Sequence, residues 1–411
     1  MMLHDVLKKG PQSGPLSALR SGAAQRFNDA GWPKATDEAW RFTNLNTLAA
    51  RELAPVVDAA VVDTAGADTR GLPDGARLVL VNGMIDAGLS TAMPDGVELV
   101  ALADDAELAA CLDDERLLDH GVARLSLAVM ASGFGLRVTG EVTEPVHFVY
   151  RNAGNDASTH AVGVVALADG ASMTLLEHHS GEGDGLSAPV LAVTVGAGAA
   201  LCHARVQAEG AERHHLATTI MTMADDARYN GLSVQTGGAI SRTENQIALV
   251  GEQIDLTLTT LYLAHDDQVM DVTALVDHRM PNCTSRQIVR GVLDDQAKGV
   301  FQGKVIVARD AQKTDGNQMS RALLLSRKCE ADAKPELEIY ADDVACSHGA
   351  TVGELDDNHL FYLTSRGIPK PEARQILIEA FLADVLDEVE QEELKSHALP
   401  QVAAWLEQMK G

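Results

Sequence analysis

Hydrophobic positions fall into three textures along the chain. Near the N-terminus Leu16, Leu19, Ala23 and Phe27 recur at i, i+3, i+7 and i+11, one face of a helix, and Gly31-Trp32-Pro33 ends it. Residues 1 to about 65 read as helical in this way. A short apolar run, Leu78 to Val81, predicts a first strand, and helical spacing returns over 103–130 around Leu108, Cys111, Leu112, Leu117 and Leu118. From about 135 to 350 short alternating runs are separated by Gly, Asn or Asp, the pattern of an all-β region. After Gly367-Ile368-Pro369-Lys370-Pro371, the residues Leu377, Phe381, Val385 and Val389 recur every fourth position, widened by Ile378, Leu382 and Leu386. This predicts an amphipathic helix, broken at Leu399-Pro400 and followed by a last short helix through Val402, Trp405, Leu406 and Met409.

The β region repeats. Turns at Gly170, Gly198, Asp226 and Gln253 align with offsets of 28, 28 and 27 residues. That is the length of one coil of a β-solenoid whose strands stack on the next coil. A β-sandwich is the competing architecture; the near-constant offset favours the solenoid, capped by helices at both ends. Three units follow: a mostly helical N-terminal domain over 1–130, a β-helix core over 131–352 and a C-terminal helical domain over 353–411.

Composition narrows the class. The chain has 411 residues, enough for several domains, and 33 Lys and Arg against 59 Asp and Glu give a formal charge of −26. Such a surface argues against nucleic acid or an anionic membrane as partner. Aromatic residues make up 4%, low for one large globule but suited to a solenoid with a small aliphatic interior. The first residues, Met1 to Lys9, lack the pattern of a signal peptide, and no run of about eighteen apolar residues occurs, so the chain reads as cytoplasmic. Trp40 and Phe42, in a short charged context, read as anchors of the N-terminal helices on the body.

Five cysteines (Cys111, Cys202, Cys283, Cys329 and Cys346) are scattered without a Cys-x-x-Cys pair. Neither a disulfide framework nor a self-contained four-thiolate cluster fits that spacing. Phosphate loop, dinucleotide fingerprint, zinc helix and nucleophile elbow are all missing from the sequence. Of the histidines, His178-His179, Cys202-His203 and His214-His215 are adjacent pairs, and neighbours on a strand face opposite ways. Each pair therefore offers at most one inward donor, with a satisfied histidine as the ordinary reading. Cys346-Ser347-His348 differs. Two soft donors at i and i+2 on a strand share one face, at the end of the β region. Two donors do not complete a metal site, so the rest would come from another chain.

The segment Ile339-Tyr340-Ala341-Asp342-Asp343-Val344-Ala345-Cys346-Ser347-His348-Gly349-Ala350-Thr351-Val352-Gly353, with Leu360-Phe361-Tyr362-Leu363-Thr364-Ser365-Arg366-Gly367-Ile368 after it, closely resembles the core of the SufB/SufD family. These are scaffold subunits of the SUF iron–sulfur cluster assembly machinery. Glu38-Ala39-Trp40-Arg41-Phe42-Thr43-Asn44-Leu45 resembles the family's N-terminal motif. Where the SufB type has Gln-Cys-Asp-Ser-Leu-Leu, this chain reads Gln318-Met319-Ser320-Arg321-Ala322-Leu323-Leu324, and Ser347 and Gly349 replace acidic residues beside the shared histidine. The pattern resembles the SufD branch.

The resemblance implies a right-handed parallel β-helix flanked by helical domains. It implies a non-catalytic scaffold subunit that pairs with SufB through the β-helix edge and docks the ATPase SufC through its C-terminal helices. One SufB, two SufC and one SufD would form the assembly, with ATP hydrolysis supplied by SufC and iron acquisition supported by this subunit. His348 is then the principal ligand of a transient cluster or iron shared with SufB, and Cys346 a weaker one. No cofactor is expected on the isolated chain, and a reduced flavin bound by the complex stays open. A homodimer through the same edge is the alternative when SufB is absent. The competing class is a polysaccharide lyase or hydrolase, with Asp266-Asp267, Asp271 and Asp294-Asp295 as groove carboxylates.

Overall fold

The computed structural model describes residues 3–9, 14, 16–56 and 72–409. Two long, mostly parallel sheets face each other across one interior. Sheet A runs from Glu330–Ile339 back through Lys298–Val307, Val269–His278, Ile240–Leu249, His214–Met223, Val190–Val195, Val162–Leu167 and Gly133–Val138 to Val97–Ala101. Sheet B runs from Ala345–Glu354 through Asp315–Leu324, Thr284–Leu293, Asp255–Ala264, Arg228–Gln235, Ala200–Gln207, Ser172–Glu182 and Val146–Ala153 to Ala76–Val81 and Met84–Ile85. The chain alternates between the sheets, so each strand pairs with the one a coil away. Ala200, Arg228, Asp255, Thr284, Asp315 and Ala345 lie in one register column, a step of 27 to 31 residues. The fold is the β-solenoid expected from the repeat.

The repeating turn has a backbone cause. Gly140, Gly170, Gly198, Asp226, Gln253, Asn282 and Lys313 occupy successive corners, all with φ between +56° and +70°. The earlier corners use glycine, which takes this conformation without a Cβ clash; later ones use Asp, Gln, Asn and Lys. A second corner recurs at Gly238, Asp266 and Asp295, also with positive φ. Asp266 and Asp295 are therefore turn residues, and Asp271 is fully buried against Arg242, so these acids do not line a groove.

Strand alternation divides each sheet between two apolar environments. Inward residues such as Leu175, Leu201, Leu256, Ile247, Val276 and Val305 form the interior core. Outward residues of sheet B, among them Leu176, Ala204, Leu232, Leu261 and Val292, pack under the C-terminal helices Lys370–Leu386 and Glu392–Gln408. The outer face of sheet A, through Val162, Val164, Val190 and Ile220, meets the N-terminal helices Ser17–Ala30 and Gly121–Val129. At one position the interior is filled to contact: a Cβ on Gly291 would lie 2.0 Å from the ring of Tyr262 one coil away. Gly291→Ala is expected to cost about 1–3 kcal/mol by overpacking, read as a lower urea midpoint with unchanged m-value.

Two expectations need correction. Leu399-Pro400 does not break the chain into a last short helix: Glu392–Gln408 is one helix with Pro400 inside it, and the break lies before it, after Leu386. Pro400 deprives the Ser396 carbonyl of its helical donor, but Ser396 and Pro400 are both exposed, so that carbonyl can bond water. Residues 1 to about 65 are not helical throughout; Ala54–Pro55 pairs in parallel with Ala157–Thr159, and 57–65 lie outside the described residues. The strand Ala76–Val81 also joins sheet B directly, parallel to Val146–Ala153.

Trp40 anchors as expected. It is buried beneath the Arg242 guanidinium, 4.1 Å from its ring centre, and beside His120. Arg242 donates to Glu244 (2.8 Å) and Asp271 (2.5 Å); His120 Nε2 meets Glu244 at 2.7 Å, and Thr43 donates to Asp271. Phe42 is only half-buried and lies under Lys298 and Arg41. Lys334 bonds Glu38 at 2.7 Å, and Gln302 donates to the Ala39 carbonyl, so the motif Glu38–Leu45 is clamped onto the last coils of sheet A.

Candidate metal-ligand edge

The two sheets end differently at their two ends. At the C-terminal end, Glu330–Ile339 and Ala345–Glu354 each have a partner strand on one side only, and both are ten residues long. Every residue of Ala345–Glu354 is exposed or half-exposed. Nearby, Tyr340 is 65% exposed and Phe361 73%, with Ile339, Val352 and Tyr362 also open. A long flat edge with uncovered aromatic and aliphatic side chains is a template for another strand.

Cys346 and His348 lie on this edge and share one strand face, as their spacing predicts; the register makes it the inward face. Cys346 pairs in register with Gly316 and His348 with Gln318, on the same strand face as Ser285 and Gln287 one coil deeper. Cys346 packs partly against the interior core, its Sγ 3.4 Å from where a Gly316 Cβ would stand. Burial pushes the Cys346 thiol up, aided by Asp315 and opposed by the backbone bond at Gly316. At neutral pH it is a thiol, a poor ligand until a nearby cation lowers it. His348 is exposed at the mouth of the interior. Its outward neighbour Ser347 accepts from Asn317 Nδ2 at 2.7 Å, fixing the strand. Among the described residues, no three His, Cys, Asp or Glu side chains gather into a group able to hold a metal ion.

The remaining histidine pairs split as the alternation predicts. His179, His203 and His215 face inward, while His178, Cys202 and His214 face out. The inward ones are spoken for. Glu177, 1% exposed, accepts from Arg205 (3.0 Å) and meets His179 and His203, each at 2.7 Å. Arg205 also donates to Thr219 on sheet A, tying the two sheets across the interior. His215 Nδ1 lies 2.7 Å from Glu209. Burial raises the Glu177 carboxyl, but Arg205 and the two imidazoles outweigh it and hold the group well below the usual carboxylate range. These are structural ion clusters. Cys283 is fully buried and Cys329 half-buried, both with thiols raised by burial.

The sequence reading missed two inward glutamines beneath His348. Gln287 and Gln318 are 2% and 0% exposed, and neither carboxamide has a hydrogen-bond partner among the described residues. The repeat itself was the signal: Gln287, Gln318 and His348 are one coil apart and share a face.

A family model described as SUF system FeS cluster assembly, SufBD core domain, matches residues 149–381, more than half of the chain. The chain belongs to the SufBD family. Among its relatives is the iron–sulfur cluster assembly protein SufD of Escherichia coli K12, 32% identical over 92% of this chain and 90% of that protein. Protein ABCI7, chloroplastic, of Arabidopsis thaliana is 28% identical over 96% of this chain and 87% of its own length. SufD of Bacillus subtilis 168 is 29% identical over 69% of this chain. This SufBD-family chain has no described helix long and apolar enough to cross a membrane.

Proposed function

We propose that this chain is the SufD-type scaffold subunit of a SUF complex. Its C-terminal solenoid edge pairs with a SufB-type partner and contributes His348 to a cluster site shared between them. The observation that carries this reading is the coincidence, on one uncovered ten-residue edge, of two same-face donors that no other described residues complete. The nascent cluster or its iron is cargo here. Exposed on the edge, the His348 imidazole can turn a ring nitrogen toward a metal arriving from the partner's side. Cys346 sits deeper and is protonated, so it assists only once iron lies close enough to lower its pKa. Chemistry beyond binding, including nucleotide hydrolysis, comes from the partners: a SufC-type ATPase docks on the C-terminal helices, where Phe361 and Tyr362 on Asp357–Thr364 and Ile376 on the next helix are uncovered. The complex works in the cytoplasm.

The test is co-expression with SufB and SufC partners, anaerobic purification and cluster quantitation by absorbance and iron content. A fully assembled His348→Ala complex is expected to hold at least about tenfold less cluster, and Cys346→Ala to keep more than half. Wild-type cluster yield in His348→Ala would overturn the ligand assignment. Failure of the wild-type chain to co-purify with either partner would overturn the complex.

A further inference from the structure

Two consecutive rungs of buried, unpartnered carboxamide call for an explanation. A buried amide without a partner costs about 1–3 kcal/mol, and native interiors hold few of them. Here Gln287 and Gln318 stack in register, with all four side-chain N and O atoms unpaired among the described residues. Opposite them sheet A gives way: Gly303 has no side chain, and a Cβ there would fall 2.8 Å from Gln318 Nε2. The glycine keeps a slot open for the Gln318 carboxamide. The next rung of the same column is His348.

We propose that Gln318 is the positioning residue of His348, an inference that rests on His348 being the metal-facing ligand. Adjacent strands of a sheet stand about 4.8 Å apart, within reach of a Gln carboxamide and an imidazole in the same column. Once the exposed His348 ring turns toward the interior, the Gln318 side-chain oxygen, unpartnered in this structure, accepts the N–H of one ring nitrogen and leaves the lone pair of the other directed out of the solenoid mouth. A metal-binding histidine needs such an acceptor behind it, because the acceptor fixes the tautomer and the ring plane. Gln287, one rung deeper, stands in register beneath Gln318 and continues the same column inward. The ladder thus ends on the edge, and its unpaired groups become partners of the last rung.

The test reads His348 without any metal. The full chain carrying 15N-histidine is examined at pH 8, with the His348 signals assigned by their loss in His348→Gln. One tautomer is expected to dominate in the wild type, and Gln318→Leu to move both ring-nitrogen shifts toward tautomer averages. Gln318→Glu, which keeps an acceptor, is expected to restore the wild-type pair. Gln318→Met serves if the leucine variant does not fold, with the same expectation as Gln318→Leu. Unchanged His348 ring-nitrogen shifts in the folded leucine or methionine variant overturn the proposal. In the assembled complex, Fe(II) affinity is expected to fall about tenfold in Gln318→Leu and to recover in Gln318→Glu. A tautomer change with no affinity change would leave Gln318 as His348's partner and count against His348 as the ligand, so the two readings fail separately.

Discussion

Glu177→Ala is expected to destabilise the chain by about 3–5 kcal/mol, the largest single-residue effect outside the apolar core. The carboxylate accepts from Arg205 and meets His179 and His203 inside the solenoid, where Arg205 is 6% exposed. Deleting it leaves a guanidinium in the interior with Thr219 as its remaining side-chain partner. A charge buried without its counter-ion is the costly case; a pair removed together is not. The double variant Glu177→Leu/Arg205→Met is therefore expected to recover most of the loss. Urea denaturation of the full chain checks both. A Glu177→Ala midpoint within error of wild type would mean that Arg205 finds another partner in the folded state.

Stability is expected to be flat from pH 8 to about 7 and to fall steeply between pH 6.5 and 4.5. Burial lowers His160 to about 3, His179, His278 and His397 to about 4, and His178 to about 2. Unfolded, each would take a proton near its ordinary value of about 6.5. Below that pH the unfolded chain binds more protons than the folded one, so stability rises with pH in this window and is lost as pH falls. Each buried imidazole contributes a slope of up to about 1.4 kcal/mol per pH unit. The depressed carboxyls Glu177, Glu209 and Glu244 act with the same sign, but only below the ordinary carboxylate range.

Part of that loss is local. His178 Nε2 stands 3.0 Å from His147 Nδ1, with the His397 ring stacked edge-on at 4.2 Å. After burial, the charges facing His178 are His397, His147, Arg151 and His179, all cationic when protonated. His397 donates from Nε2 to the Glu177 carbonyl and so joins the helix Glu392–Gln408 to sheet B. The double variant His178→Gln/His397→Gln is expected to flatten the slope between pH 6.5 and 4.5. An unchanged slope would assign the acid sensitivity to the interior histidines instead.

Much of the architecture was legible because its causes are periodic. The offsets at Gly170, Gly198, Asp226 and Gln253 mark left-handed corners, so turn chemistry and coil length appear together. The i, i+2 spacing of Cys346 and His348 placed them on one face for the same reason that split His178 from His179. What stayed hidden depends on contacts across coils. Glu177 and Arg205 read as ordinary polar strand residues until the 28-residue register stacks them and sheet A closes over them. Gln318 stood out only as part of a family motif, because an amide becomes anomalous only once burial is known. Pro400 misled because propensity cannot see that the freed carbonyl lies on the solvent side of an otherwise well-packed helix.

The two ends of the solenoid also fix a valency. Among the described residues, the sheets stop at the N-terminal end on antiparallel strands of five and two residues, Val97–Ala101 and Met84–Ile85, whereas the other end offers two ten-residue edges. A unit with adhesive edges at both ends would grow into a fibre, one copy on the next. A unit with one open edge and one stopper is monofunctional in the polymer chemist's sense. Any pairing through the open end, with a sister subunit or a second copy, terminates at two, and a shared site at the junction is counted once per pair.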